Sequence, residues 1–223
     1  MSGVLLARST RLSRSHPAPR RARPASAILL AGGRSSRMGQ AKAMLPFGGV
    51  TLIERIVAEL GRAFDEIVVV AAPESAGQVL PRLPGVVIVR DDREYLGPVG
   101  AVARGLDAIS HDAAFACACD LPMLDSRVAR RLVEMLKSRD AVIPEIAGVL
   151  QPLHAAYRKR CARALDQMSA AGEERLAAIC DWVSVRRVSE SEYRKIDPDL
   201  QSIFNLNTPE DYALALKLAG LAR

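Results

Sequence analysis

The stretch SAILLAGG, residues 26–33, decides the fold: a short apolar run closed by Gly32 and Gly33 reads as a buried strand that ends in a loop. Working outward, Thr51 is placed to cap a helix over roughly 52–63, with Glu54 three residues on completing a capping box. The same alternation recurs. EIVVVAA (66–72), VVIVR (86–90) and AAFACAC (113–119) read as further strands, and helical patterns intervene at about 75–80, 99–109 and 126–138. Strands that are apolar throughout, alternating with helices, predict an α/β fold with a mostly parallel sheet covered on both faces. Reactive side chains are then expected beyond the C-terminal ends of the strands. The second half is less regular. DAVIP (140–144) reads as a strand, 153–170 as a helix, WVSVRRV (182–188) as a strand, and 208–219 as a closing helix started by Asn207 or Thr208.

At 223 residues the chain suits one such domain, expected over 25–223. Its net charge of +6 is unevenly placed, because the first 24 residues hold six arginines (Arg8, Arg11, Arg14, Arg20, Arg21, Arg23) and no acid. The remainder is formally neutral. A nucleic-acid function is therefore not expected, since binding a phosphate backbone needs a basic face on the folded part. Residues 1–24 read as a disordered basic tail, whose composition is compatible with a transit peptide or with a simple N-terminal extension. No apolar run approaches 18 residues, so no membrane span is expected. Cys117, Cys119, Cys161 and Cys180 lack C-x-x-C spacing, which points to reduced thiols in a cytoplasm. Cys117 and Cys119 alternate along an apolar run and read as core residues on one side of a strand.

The loop Ala31-Gly32-Gly33-Arg34-Ser35-Ser36-Arg37-Met38-Gly39 is neither a Walker A loop nor a G-x-G-x-x-G fingerprint. Its residue types nevertheless suit phosphate: glycines let backbone amides approach oxyanions, and Arg37 and Lys42 bring cationic heads to the same place. A tight strand-to-helix turn with a solvated basic loop would look alike. Asp120 directly follows the strand AAFACAC, where a carboxylate can hold Mg²⁺ together with nucleotide phosphates and water. Helix capping is the plainer use of an aspartate here, and Asp125 is better placed for it. Asp91 is another strand-tip carboxylate, open to metal, ribose, base or loop roles.

The strings LLAGGRSSRMGQAKAMLPFGGVTLIERI, DDREYLGPVGAVARGL, ACDLP, LQPLHAAY and FNLNTPED, in that order over residues 26–218, resemble the molybdenum cofactor guanylyltransferases. That resemblance implies a Rossmann-like three-layer fold of the nucleotide-diphospho-sugar transferase type and Mg²⁺-dependent transfer of GMP from GTP to molybdopterin. It places Leu30, Ala31, Gly32 and Gly33 against guanine and phosphates, Arg37 and Lys42 at the phosphates, and Asp120 on the metal. Asp91 matches the family's aspartate before the Gly-Pro turn. Arg175, Asn205 and Asn207 match positions toward the pterin, whose polar edge suits asparagine, although Asn207 also fits a helix N-cap. The chain departs from the pattern at Ala41, where an aspartate is usual, at Ala71-Ala72-Pro73, where an asparagine often ends the strand, and at Gly97-Pro98-Val99-Gly100-Ala101. Guanine over cytosine rests mainly on Gly33.

With this resemblance, the reaction implied is in-line attack of the molybdopterin phosphate on the α-phosphorus of GTP, with Arg37, Lys42 and Asp120 as the catalytic set and no general base. His154 is expected to be structural or substrate-lining. The rival expectations are CTP in place of GTP, another phosphorylated acceptor, or a non-catalytic nucleotide-binding protein that delivers cofactor to a molybdoenzyme or its chaperone.

Overall fold

The computed structural model describes residues 23–32, 42–73, 79–90 and 97–222. The expected tail up to residue 22, the loop residues Gly33 and Arg37, Asp91, and most of the helix expected at 75–80 lie outside the described residues. Ten strands and six α-helices are described. The central parallel strands are β1 (Ser26–Leu30), β4 (Glu66–Ala71), β5 (Val86–Arg90) and β6 (Ala113–Ala118). They pair in the order β5-β4-β1-β6, with Leu29 opposite Val69 on one side and Cys117 on the other. The sheet continues through β9 (His154–Arg158), β7 (Ala141–Ile146) and β10 (Val185–Ser189), while the short β8 (Val149–Leu150) hangs on β7. Within the seven-strand path β9 alone runs antiparallel to its neighbours.

The runs in β1, β4 and β6 are apolar throughout because both faces of the sheet are covered there, whereas the edge strand β5 leaves Val87 and Ile88 exposed. Ala27, Leu29, Val69 and Phe115 face α1 (Leu52–Leu60) and α3 (Ser126–Glu134), and Ala215 of α6 (Pro209–Leu218) belongs to the same cluster. Ile28, Leu30, Val68 and Val70 face α2 (Gly97–Ala108) and α4 (Cys161–Ala170). The result is the three-layer sandwich expected from the sequence. In α1 the buried side chains are Leu52, Ile53, Ile56 and Leu60, each stabilising the fold by roughly 1.5–3 kcal/mol on burial. The expected capping box on Thr51 and Glu54 is present, and Asp125 caps α3 by accepting from the Arg127 amide. A glycine is demanded at 105, in α2, because a Cβ there would stand 2.5 Å from Ile28 Cγ2 and 3.2 Å from Val70 Cγ2. Cys117 and Cys119 lie in the same core cluster, and burial pushes the Cys119 thiol up to about 12.

Several elements differ from the sequence reading. The helix expected over 153–170 is β9 followed by α4, split where Lys159 and Arg160 turn the chain. Residues 79–83 are not helical, α3 stops at Glu134, and the strand expected from 182 begins at Val185. An unforeseen hairpin, β2 (Pro46–Phe47) and β3 (Val50–Thr51), closes through Gly48 and Gly49, both at positive φ (69° and 89°), the backbone that a two-residue hairpin turn requires. The short helix α5 (Glu190–Tyr193) and 3-10 turns at Lys42–Met44, Leu176–Asp181 and Gln201–Ile203 complete the description.

Candidate active site

Strand order reverses at β1: the chain steps to β4 and β5 on one side and to β6 on the other, which opens a crevice at the C-terminal ends of β1 and β6. Hydrogen bonding extends past the strand ends here. Cys119 N donates to Leu30 O at 3.0 Å, and Ala31 N donates to Val70 O at 2.8 Å. Leu30 and Ala31 thus spend these backbone groups on the sheet, and their side chains are buried. Any cradle of amides for a phosphate therefore starts at Gly32. A Cβ on Gly32 would make only an ordinary contact, 3.4 Å from Ala72 N, and Gly32 is not among the positive-φ glycines. Among the described residues neither packing nor a positive φ requires glycine there.

Three elements converge on this crevice. Lys42, first residue of its 3-10 turn, is aimed by the buried Ala43 and Leu45 that follow it and by the Leu52 N to Leu45 O bond (2.8 Å). Its Nζ lies 3.0 Å from Asp120 Oδ2 and donates to Asn207 Oδ1 at 3.2 Å. Asp120 stands at the tip of β6, and its carbonyl accepts from Leu206 N at 2.9 Å. Asn207 is fixed from behind, since its amide and that of Thr208 both donate to Asp211 Oδ2 at 2.9 Å. Those amides hold the Asp211 carboxyl below the usual carboxylate range. Thr208, not Asn207, is the N-cap of α6. This leaves the Asn207 side chain to face Lys42.

The pair is part-exposed, with side-chain accessibilities of 22% for Lys42 and 19% for Asp120. Asp120 Oδ1, however, is buried and has no hydrogen-bond partner among the described residues. An uncompensated carboxylate oxygen at a strand tip costs stability unless something else satisfies it, and a hard divalent cation would do so. Among the described residues no group of three or more His, Cys, Asp or Glu could hold a metal ion. The arrangement therefore suits a cation that leans on one carboxylate and takes its other ligands from a phosphate substrate and water, which is the habit of Mg²⁺.

Of the other expected residues, Asn205 donates from Nδ2 to Ile203 O at 3.1 Å. Arg175 precedes the 3-10 turn at Leu176–Asp181 and is paired with Glu173 (2.8 Å), whose carboxyl it holds at about 2. Its side chain is 82% exposed and makes no hydrogen bond to Lys42, Asp120 or Asn207. Gly33, Arg37 and Asp91 lie outside the described residues. The sequence reading assigned no function to Tyr193 or Ser202, which join His154 in a buried chain behind the site; a buried tyrosine hydroxyl needs a partner, and that need was the available signal.

The three-layer sandwich with a mixed, mostly parallel sheet has the fold of the nucleotide-diphospho-sugar transferase type, with charged groups gathered at its switch point. More narrowly, residues 27–188 match the model of the MobA-like NTP transferase domain, and the chain belongs to that family. It is 32% identical over 187 residues to the molybdenum cofactor guanylyltransferase of Desulfosudis oleivorans, covering 82% of this chain and 90% of that protein. Among solved structures it superposes on molybdopterin-guanine dinucleotide biosynthesis protein A from Archaeoglobus fulgidus with a TM-score of 0.77 at 23% identity, covering 87% of this chain and 98% of that one. It also superposes on 2-C-methyl-D-erythritol 4-phosphate cytidylyltransferase from Thermus thermophilus, with a TM-score of 0.64 at 21% identity and coverages of 87% and 98%. The family assignment agrees with the resemblance read from the motifs. Among the described residues no helix is long and apolar enough to cross a membrane.

Proposed function

We propose that this enzyme transfers GMP from GTP to the terminal phosphate of molybdopterin, releasing pyrophosphate and forming the guanine dinucleotide cofactor. The observation that carries the reading is the meeting of Lys42, Asp120 and Asn207, from three separate elements, at the crevice between β1 and β6. A cation, a metal-competent carboxylate and a neutral hydrogen-bonding group are what a nucleotide triphosphate and a polar acceptor require at one place. The relatives named for the same transfer add support.

In this reading an oxygen of the acceptor phosphate attacks the α-phosphorus, the bond from that phosphorus to the bridging oxygen breaks, and pyrophosphate leaves. The attacking phosphate is already ionised near neutral pH, so the protein's work is positioning and charge neutralisation. Lys42 would balance charge on the leaving pyrophosphate, joined by Arg37, with the amides of Gly32 and Gly33 at the phosphates. Asp120 would hold Mg²⁺, which when bound supplies charge neutralisation on the nucleotide oxygens. Asp91 is assigned to the nucleotide, and Arg175, Asn205 and Asn207 to the pterin side. Free thiols at all four cysteines suit the cytoplasm in which we place the reaction, with a molybdoenzyme or its chaperone as recipient.

Purified protein incubated with molybdopterin, Mg²⁺ and each of the four nucleoside triphosphates tests this by pyrophosphate release. GTP is expected to support turnover. Turnover with CTP instead would move the enzyme to the cytidylyl reaction, and GTP binding without turnover would favour a carrier. Inactivity with all four would remove the catalytic reading.

A further inference from the structure

Behind the site a directed chain of hydrogen bonds joins β9 to the segment that carries Asn207. His154 Nε2 lies 2.9 Å from Tyr193 Oη, and Tyr193 Oη lies 2.7 Å from Ser202 Oγ. Ser202 donates to Asp197 Oδ2 from Oγ at 2.6 Å and from its amide at 2.9 Å. His154, Tyr193 and Ser202 are each at most 2% exposed. The proton count along this chain has one solution. Asp197 accepts, so the serine proton is spent on it; Ser202 Oγ then accepts from the tyrosine O–H, and Tyr193 Oη accepts from Nε2–H of His154. Burial lowers His154 to about 3, which keeps the ring neutral with one proton. Its Nδ1 is the remaining lone pair, buried and without a partner among the described residues.

The imidazole is held from the other side as well. It packs edge-on to Phe115, centroids 5.0 Å apart, and His154 pairs with Cys117 in β6, three residues before Asp120. Four residues past Ser202, Leu206 donates to Asp120 O, and Asn207 accepts from Lys42. One end of the segment 202–207 is therefore tied to β9 and the other to the tip of β6.

We propose that His154, Tyr193 and Ser202 are positioning residues: the directed chain fixes segment 202–207 so that Asn207 stands at Lys42 and Asp120, and this placement sets how tightly the phosphorylated acceptor is held. The acceptor part rests on the proposed function; the placement part does not. Three variants separate them. Tyr193→Phe breaks the chain. His154→Gln keeps a donor where Nε2–H stands, whereas the amide of His154→Asn falls short, near the Nδ1 position.

Hydrogen exchange at the Leu206 amide reads placement without any turnover. Loss of one buried bond predicts that Leu206 exchanges about tenfold faster in Tyr193→Phe and His154→Asn, with the Val68 and Val69 amides within about twofold of wild type and His154→Gln close to wild type throughout. The acceptor KM is expected to rise about tenfold in the same two variants, with the KM for GTP within about twofold. Equal loss of protection at Leu206 and in β4 would mark general packing and overturn the proposal, as would His154→Asn behaving like His154→Gln. If the exchange pattern holds and no nucleotide supports turnover in the wild type, the placement role stands and the assigned reaction falls.

Discussion

Replacing Asp120 should produce an inverted order of stabilities, with the conservative variant the worse one. The carboxylate has two oxygens in different circumstances: Oδ2 pairs with Lys42 at 3.0 Å, and Oδ1 is buried without a partner among the described residues. The ion pair is about one-fifth exposed, and such a pair is worth no more than ~1 kcal/mol once screening is counted. Removing the orphaned oxygen relieves a desolvation cost of about 1–3 kcal/mol. Asp120→Ala loses the first term and gains part of the second, so its stability should fall within about 1 kcal/mol of wild type. Asp120→Asn can still accept from Lys42, but it puts an amide N–H₂ in the buried place of Oδ1 and must desolvate two donors there, so it should be ~1–2 kcal/mol less stable than the alanine variant. Urea unfolding measures this as midpoint shifts at unchanged slope. Pyrophosphate release should meanwhile fall by about 10²–10³ in both, the several kcal/mol that neutralising charge in the transition state supplies. A stable asparagine variant beside an alanine variant several kcal/mol worse would make the carboxylate a structural group and refute the reasoning.

Gly105→Ala adds a methyl 2.5 Å from Ile28 Cγ2 on the central strand, so overpacking of about 1–3 kcal/mol should outweigh the ~1 kcal/mol that alanine contributes to helix propensity. Thermal unfolding should show a lower midpoint, and an unchanged or raised one would mean that α2 shifts freely over β1. For His154 the folded pKa, about 3, lies below the ordinary 6.5, so the unfolded chain takes up a proton first as pH falls. The group's contribution is intact above about pH 6.5 and is lost between there and pH 3, with a slope of at most ~1.4 kcal/mol per pH unit that His154→Gln should remove. Urea midpoints from pH 7 to 4 that run parallel in the two proteins would contradict this.

β1, β4 and β6 were legible because each is buried on both faces, which leaves an unbroken apolar run with no helical period, and the edge strand β5 keeps the same apolar run although Val87 and Ile88 are exposed. β9 was not, for a physical reason. HAAYR and the residues after it are rich in alanine and arginine, good helix formers, yet Ala155, Ala156 and Tyr157 are fully buried between β6 and β7. Tertiary packing overrides local preference there, as it commonly does in strands. Lys42 and Asp120 could be placed individually, one just past a glycine loop and one at a strand tip. The approach of Asn207 to Lys42 could not, because it spans 165 residues and depends on Leu206 reaching the carbonyl of Asp120. The helix-start signal at Asn207 and Thr208 was real but belonged to Thr208, and that assignment is what leaves Asn207 available to the crevice.

The division of labour at this crevice bears on where specificity must reside. On the proposed reading Lys42 and Asp120 would act on charge, and every nucleoside triphosphate presents the same charges to them, so neither could distinguish guanine from cytosine. Discrimination between bases depends on groups that meet their hydrogen-bonding edges, where a mispaired polar group is costly. Ala71, the last residue of β4, and Ala72 after it offer no polar side chain to a base. On the proposed reading, base choice then falls to backbone groups around Gly32 and to the residues that follow β1 and β5, while acceptor choice falls to the segment before α6. Changes in the residues that follow β1 and β5, or a polar side chain newly introduced at Ala72, should therefore alter which triphosphate is used without altering the KM for the acceptor, and changes at Asn205 or Asn207 should do the reverse. A substitution at Ala72 that moved both constants together would mean that the two substrates share one wall of the site and that the crevice cannot be divided in this way.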